Sequence, residues 1–257
     1  MTRGLPSSEA AVRAPSDPQL ADAAHEWKSA YVHIPFCRQR CPYCDFAIVD
    51  ESITGGSDHE AYIEAVIAEI AMEDGIGPID AINFGGGTPS AVEPGLLGRI
   101  VQAIERRFGL VNGAEISLEI NPEDWSTQLG EALRAVGFNR VSIGGQSMDD
   151  AILGVLGRSH TSHQIASSVN GARAAGFRSV GVDVIIGHPG ESIASWEATV
   201  ASVLSMDIDH LSTYTLTVEP GTELSRDVGR GAPAPDEDVQ ADRYEFLAAA
   251  AGRRGFE

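Results

Sequence analysis

Between residues 30 and 217 the chain repeats one pattern, a short apolar run rich in β-formers followed by a helical stretch. Strands separated by helices pair in parallel, because a parallel partner is reached only through a crossover long enough to hold a helix. The pattern predicts strands at 30–34, 79–84, 114–120, 140–143, 179–186 and 210–217, and helices at 59–72, 92–108, 127–136, 163–175 and 192–205. Gly75, Gly109, Gly137 and Gly176 stand where helices need C-caps before a returning strand. Six βα units are too few to close an eight-stranded barrel, so the expected fold is an α/β, partial (β/α)6 barrel of TIM type. In such folds chemistry gathers on the loops after the strands.

A chain of 257 residues with 43% hydrophobic content buries one large core. No span is long and apolar enough to cross a membrane. Residues 1–26 are Ala, Ser, Pro and charge without an apolar h-region, so they read as a disordered leader rather than a signal peptide, and the expected compartment is the cytoplasm. A net charge of -19 repels phosphate backbones and argues against nucleic acid as a partner. Arg106-Arg107 and Arg253-Arg254 fit solvated helix faces.

The three cysteines all fall in Cys37-Arg-Gln-Arg-Cys41-Pro-Tyr-Cys44. An odd count cannot pair fully, and disulfides are not expected without an export signal. A cubane iron-sulfur cluster takes four ligands, so three thiolates from one loop leave one iron open to a small chelator. S-adenosylmethionine (SAM) is the known chelator at this spacing. Zinc is the competing metal, but it usually takes two paired knuckles, and a second knuckle is missing. His33 would complete a Cys3His site, yet it lies in an apolar strand where a packed or supporting histidine is the simpler assignment.

Other informative residues collect at the strand ends. Gly85-Gly86-Gly87-Thr88-Pro89 follows the second strand, where bare amides would approach an anion or amino-acid head group closely. A tight strand-to-helix turn is the plain alternative. Glu119 and Asp183 interrupt apolar strands, where a carboxylate is costly to bury alone. Each either lines the barrel mouth, where Asp183 would take ribose hydroxyls, or sits in a structural ion pair. Gln146, in Gly144-Gly145-Gln146-Ser147, carries little weight by residue type.

Taken in order, YVHIPFCRQRCPYCDF, FGGGTPS, LEINP, NRVSIGGQS, LGRSH, VDVIIGHPGES and YTLTVEPGTEL resemble the radical SAM proteins of the HemN/HemW group over about residues 30–257, and within it the haem-chaperone branch. The cysteine motif is specific to the superfamily; YxHIPFC with GGGTP and the EPGT turn is specific to the group. The resemblance implies a radical SAM half-barrel with a [4Fe-4S] cluster on Cys37, Cys41 and Cys44. It puts Tyr31 and Tyr43 against cluster and SAM, Gly86, Gly87 and Thr88 at the methionine end, and Thr217 beside the adenine. Glu119, Gln146, Arg158 and Asp183 take the remaining SAM contacts. Arg158 is raised by the resemblance alone.

The same resemblance implies a chaperone that binds haem and delivers it to a respiratory protein, with an electron donor serving the cluster. The alternative is an oxygen-independent coproporphyrinogen III oxidase (dehydrogenase), whose branch carries a further cysteine where this chain has Phe46. A zinc-stabilised binding module is the third reading. The family's GLP and GVQS turns are Gly187-His188-Pro189 and Gly144-Gly145-Gln146-Ser147 here; His188 is a candidate haem ligand or a solvent-facing turn residue. Residues 27–222 are expected to form the core, and 223–257 the helical start of a C-terminal domain that continues in the family to an HNxxYW motif, as in a truncated member. The tail at 236–254 is expected to pack near the sixth strand on Val239, Tyr244, Phe246 and Leu247.

Overall fold

The computed structural model describes residues 27–256, so the expected leader lies outside the described residues. Strand β1 (Ser29–Ile34) leads into the cysteine loop, where β2 (Phe36–Cys37) pairs with β3 (Val49–Asp50) ahead of the single turn α1 (Glu51–Thr54). There follow α2 (His59–Met72), β4 (Ile79–Gly86), α3 (Pro94–Phe108), β5 (Leu110–Ile120), α4 (Thr127–Ala135) and β6 (Arg140–Gln146). The chain continues through α5 (Asp150–Val155), α6 (Ser162–Ala174), β7 (Ser179–Ile186), α7 (Ile193–Leu204), β8 (His210–Thr215), α8 (Glu223–Gly229) and α9 (Glu237–Arg253). Six strands form one sheet in the order β1-β4-β5-β6-β7-β8, with every neighbour parallel. This is the partial barrel that the alternation predicted.

Alternation along the strands divides the sheet into two faces. Val32, Ile34, Ile82, Phe84, Leu118, Ile143 and Val182 are buried in one core with Ile63, Leu97, Leu133, Ile165 and Val200 from the surrounding helices. Each such side chain contributes about 1.5–3 kcal/mol on burial. Phe84 and Phe138 meet edge to face at 5.0 Å. The intervening positions are polar, and the register sets them side by side: Asn83 opposite Ser117, Glu119 opposite Ser142, and Asp183 opposite Ser212. The concave face is therefore polar, with a hydrogen bond from Ser117 Oγ to Asn83 Oδ1 at 2.7 Å.

Three expectations need correction. Helix α2 ends at Met72 with the extended Glu73 as its cap, so Gly75 caps nothing. The sixth strand stops at Thr215, leaving Thr217 in the loop beyond it. In α9, Leu247 is buried, but Val239 and Tyr244 are exposed and Phe246 is at the surface. The helix docks through Leu247, Ala250 and Ala251, which join the core, and through polar side chains. Gln240 Nε2 donates to Leu216 O at 2.8 Å, and Arg243 pairs with Glu191 at 3.1 Å, both side chains of that pair being almost wholly buried. Gly187 makes room for this docking, since a Cβ there would lie 2.3 Å from Gln240 Cγ.

Candidate cofactor-binding site

The cysteine loop lies over the C-terminal ends of the strands and is fastened to them from several sides. Gly87 N–H donates to Ile34 O at 2.8 Å, Thr88 N–H to Phe36 O at 2.7 Å and Leu224 N–H to Pro42 O at 2.9 Å. Gln39 Nε2 reaches Gly157 O at 3.3 Å, and Arg38 pairs with Asp124 at 2.6 Å. Within the loop, Arg40 donates from Nη1 to Cys44 O and Phe46 O at 3.0 and 3.1 Å, and from Nη2 to Ile48 O at 3.3 Å.

Below this loop is a cavity of about 370 Å³. That is enough for a small-molecule cofactor. Cys37, Cys41, Cys44, Tyr43, Gly86, Gly87, Thr88, Glu119, Gln146, Arg158, Asp183 and Thr217 all line it. Tyr31 is the exception among the expected site residues. It is 59% exposed, with its hydroxyl 3.4 Å from His33 Nδ1. His33 is no fourth ligand: its Nε2 contacts Ala47 O at 2.8 Å, and its ring fills the space where a Cβ on Gly86 would lie.

The glycine turn works differently from the expectation. The amides of Gly87 and Thr88 are spent on the end of β1 and on β2, and the Gly86 amide points at Glu119 Oε2, 3.3 Å away. Bare amides are therefore not what this turn offers an anion. Gly87 is required sterically, because a Cβ there would lie 2.7 Å from Phe36 O.

Arg158 is the charged hub. Its Nη1 is 3.5 Å from Cys41 Sγ, and its Nη2 donates to Asn121 Oδ1 at 2.5 Å and to Gly144 O at 3.2 Å. Asn121 in turn donates to Thr88 Oγ1 at 3.2 Å, and Thr88 Oγ1 donates to Cys37 Sγ at 3.5 Å. Burial pushes the Cys37 and Cys44 thiols up, so ionising them calls for positive charge nearby. Burial also raises Tyr43. Glu119 is pushed up to about 7 by burial and then by the nearby Asp183, against the Gly86 amide. Asp183 is raised by burial, and it accepts from Ser142 Oγ at 2.7 Å. Neither carboxylate is in an ion pair of 4 Å or less among the described residues, although the charges of His210 and Arg140 act on Asp183.

The residues fit the expected group. Arg158 Nε is buried without a hydrogen-bond partner, a donor held at the wall of the cavity. Among the described residues no three His, Cys, Asp or Glu side chains close on one point as a single-ion site requires. Phe46, 60% exposed, lines the same cavity. Asn121 and Tyr214 also line it and were missed from sequence, although LEINP places Asn121 at a strand end. His188 lies away from the cavity. It accepts from Gly190 N–H at 3.1 Å, and burial, then Arg243, lowers its pKa.

Comparison with known proteins gives the family. The heme chaperone HemW of Mycobacterium tuberculosis is 37% identical over 243 residues, covering 93% of this chain and 62% of the relative. The mitochondrial radical S-adenosyl methionine domain-containing protein 1 of Bos taurus is 33% identical, covering 95% of this chain and 56% of its own length. Among solved structures, coproporphyrinogen III oxidase (HemN) from Escherichia coli, a radical SAM enzyme, superposes with a TM-score of 0.77 at 25% identity, over 93% of this chain and 56% of that one. The chain thus spans less than two thirds of the length of these relatives. The profile of the Radical SAM superfamily matches residues 31–203, and the chain belongs to that superfamily.

Proposed function

We propose that this chain carries a [4Fe-4S] cluster on Cys37, Cys41 and Cys44 with SAM beside it, and that it serves in a HemW-like haem chaperone. In this reading it binds haem in the cytoplasm and passes it to a respiratory haem protein, with a separate electron donor for the cluster. Residues 27–222 form the cofactor core, and 223–257 begin a further helical domain. The observation that carries the reading is the convergence of the three cysteines with Glu119, Gln146, Arg158 and Asp183 on one cavity, together with the likeness to HemW.

The cluster with SAM, when bound, supplies one-electron chemistry that side chains lack. The chain's own groups supply placement and charge. Arg158 offsets the negative charge of the thiolates, and Thr88 hydrogen-bonds Cys37. Gly86, Gly87 and Thr88 form the wall for the methionine end, through contact rather than through their amides. Asp183 is set to accept from ribose hydroxyls, and Glu119 from the ligand's ammonium or hydroxyl groups. Thr217 borders the adenine, and Tyr43 covers the cavity beside Cys41.

Anaerobic reconstitution followed by iron and sulfide analysis tests the cluster, with about four of each expected per chain. Stoichiometric zinc in the fresh protein would replace this reading with the zinc-stabilised module. Haem titration run beside a coproporphyrinogen turnover assay tests the chaperone role. A second reading, coproporphyrinogen dehydrogenase, is favoured by the likeness to HemN and opposed by Phe46 at the further-cysteine position. Turnover without haem binding would select it.

A further inference from the structure

Gln146 adopts a conformation that its residue type opposes. Among the described residues it is the non-glycine position with positive φ, at 67°. It falls where the register between β6 and β7 shifts, after Gly144 opposite Asp183 and at Gln146 opposite Val184. Such a residue persists only where its surroundings over-determine it. The carbonyl just before it, Gly145 O, meets the Ser147 N–H at 2.9 Å and His160 Nε2 at 3.1 Å.

His160 is 3% exposed and lies two residues beyond Arg158, which lines the cavity. Its other nitrogen, Nδ1, is 3.1 Å from Glu123 Oε2. A carbonyl and a carboxylate are both acceptors, so both contacts are hydrogen bonds only when each ring nitrogen carries a proton. Burial pushes Glu123 up, but hydrogen bonds from His160 and Ser159, with the charge of Arg158, outweigh it and hold the carboxyl at about 2. Among the described residues Glu123 is the charged group in contact with this ring, and the charge of Arg158 acts on Glu123.

We propose that His160 is a positioning residue: as an imidazolium held between Glu123 and Gly145 O, it fixes the left-handed Gln146 in the cavity wall. The link to ligand affinity rests on the reading of this cavity as a SAM site; the protonation of the ring and the hold on Gln146 do not.

The test uses the cluster-loaded chain with 15N-labelled histidine. Long-range proton-nitrogen correlation at neutral pH should show both His160 nitrogens protonated, and Glu123→Gln should remove one of those protons. A wild-type ring with a single N–H overturns the proposal, and this measurement needs no variant to fold. His160→Phe should speed hydrogen exchange at Ser147 and weaken SAM binding by equilibrium dialysis about tenfold, with iron content unchanged. His160→Gln, whose amide can donate to both acceptors, should recover part of each loss. Unchanged exchange and affinity in His160→Phe sinks the idea. If the wild type binds no SAM while ring protonation and the exchange effect hold, the cavity's ligand was misread and the brace stands.

Discussion

Gly157 lies so close beneath Pro42 that a Cβ on it would stand 2.5 Å from the proline Cδ. The two residues mark one of the points where the turn after α5 and the cysteine loop touch. Gly157 also has φ of +70°, so alanine there meets backbone strain and a clash together. Gly157→Ala should lower stability by about 2–3 kcal/mol and speed loss of iron to a chelator. Gly176→Ala is the control, with φ of +83° and nothing within 4 Å of the added carbon. It should cost about 1 kcal/mol and leave iron retention unchanged. Equal iron loss in both variants would show that the Pro42 contact does not matter.

Glu119 makes stability depend on pH. Its carboxyl titrates near 7 when folded, against 4.5 ordinarily. Between those values the unfolded chain has released the proton that the folded chain keeps, so stability falls as pH rises through this window. The loss is on the order of 3 kcal/mol at most. Glu119→Gln removes it, so the variant should gain on the wild type from about pH 4.5 to about pH 7 and hold its lead above that. Urea denaturation of both proteins across this range reads the difference, and parallel curves would contradict the assignment.

Asp183→Asn should weaken SAM binding at least about tenfold. Its effect on the fold should be small, because its contact at 2.7 Å is the hydroxyl of Ser142, which accepts from an amide as readily as it donates to a carboxylate. Calorimetric titration with SAM decides it. Unchanged affinity, or a collapse of thermal stability, would return Asp183 to a structural role.

Replacing any one of Cys37, Cys41 or Cys44 by alanine should abolish iron loading, since two thiolates do not hold a cube in place. Iron and sulfide analysis after reconstitution is the measurement. Full loading of any single variant would show that another group supplies a ligand.

The strands were legible because the parallel sheet is written as apolar runs, and β7, Ser179–Ile186, begins and ends where the pattern put it. Strand β5 starts earlier than expected, at Leu110, because Gly113 and a register shift between Ile79 and Ala81 carry polar residues into the sheet. The pairing of Phe36–Cys37 with Val49–Asp50 is two residues long, too short for any periodicity. Asp183 stood out as a charge in an apolar strand. Gln146 did not, since a left-handed backbone leaves no mark in the identity of a glutamine. The polar docking of α9 was hidden for a related reason: Gln240 and Arg243 look like surface residues until Gly187 and Glu191 are brought beneath them.

Removing one half of the buried pair between Arg243 and Glu191 should be costly. Their side chains are 7% and 1% exposed, so Arg243→Ala leaves a buried carboxyl without its cation, at a cost of about 3–5 kcal/mol. Arg230→Ala breaks a pair exposed at 73% and 48% and should change stability by well under about 1 kcal/mol. Chemical denaturation of the two variants compares them, and similar losses would mean that α9 is not held by this pair.

The fastening of the cysteine loop has a kinetic meaning. Gln39 reaches a carbonyl 118 residues away, Arg158 reaches Cys41 across 117, and Leu224 closes on Pro42 from beyond the last strand. Contacts of such separation form late, because the intervening chain must first be ordered. During synthesis the three thiols emerge early and wait, unguarded, for partners not yet made. Loading of the proposed cluster therefore belongs after the sheet is complete, when the contacts that hold the cysteine loop have formed.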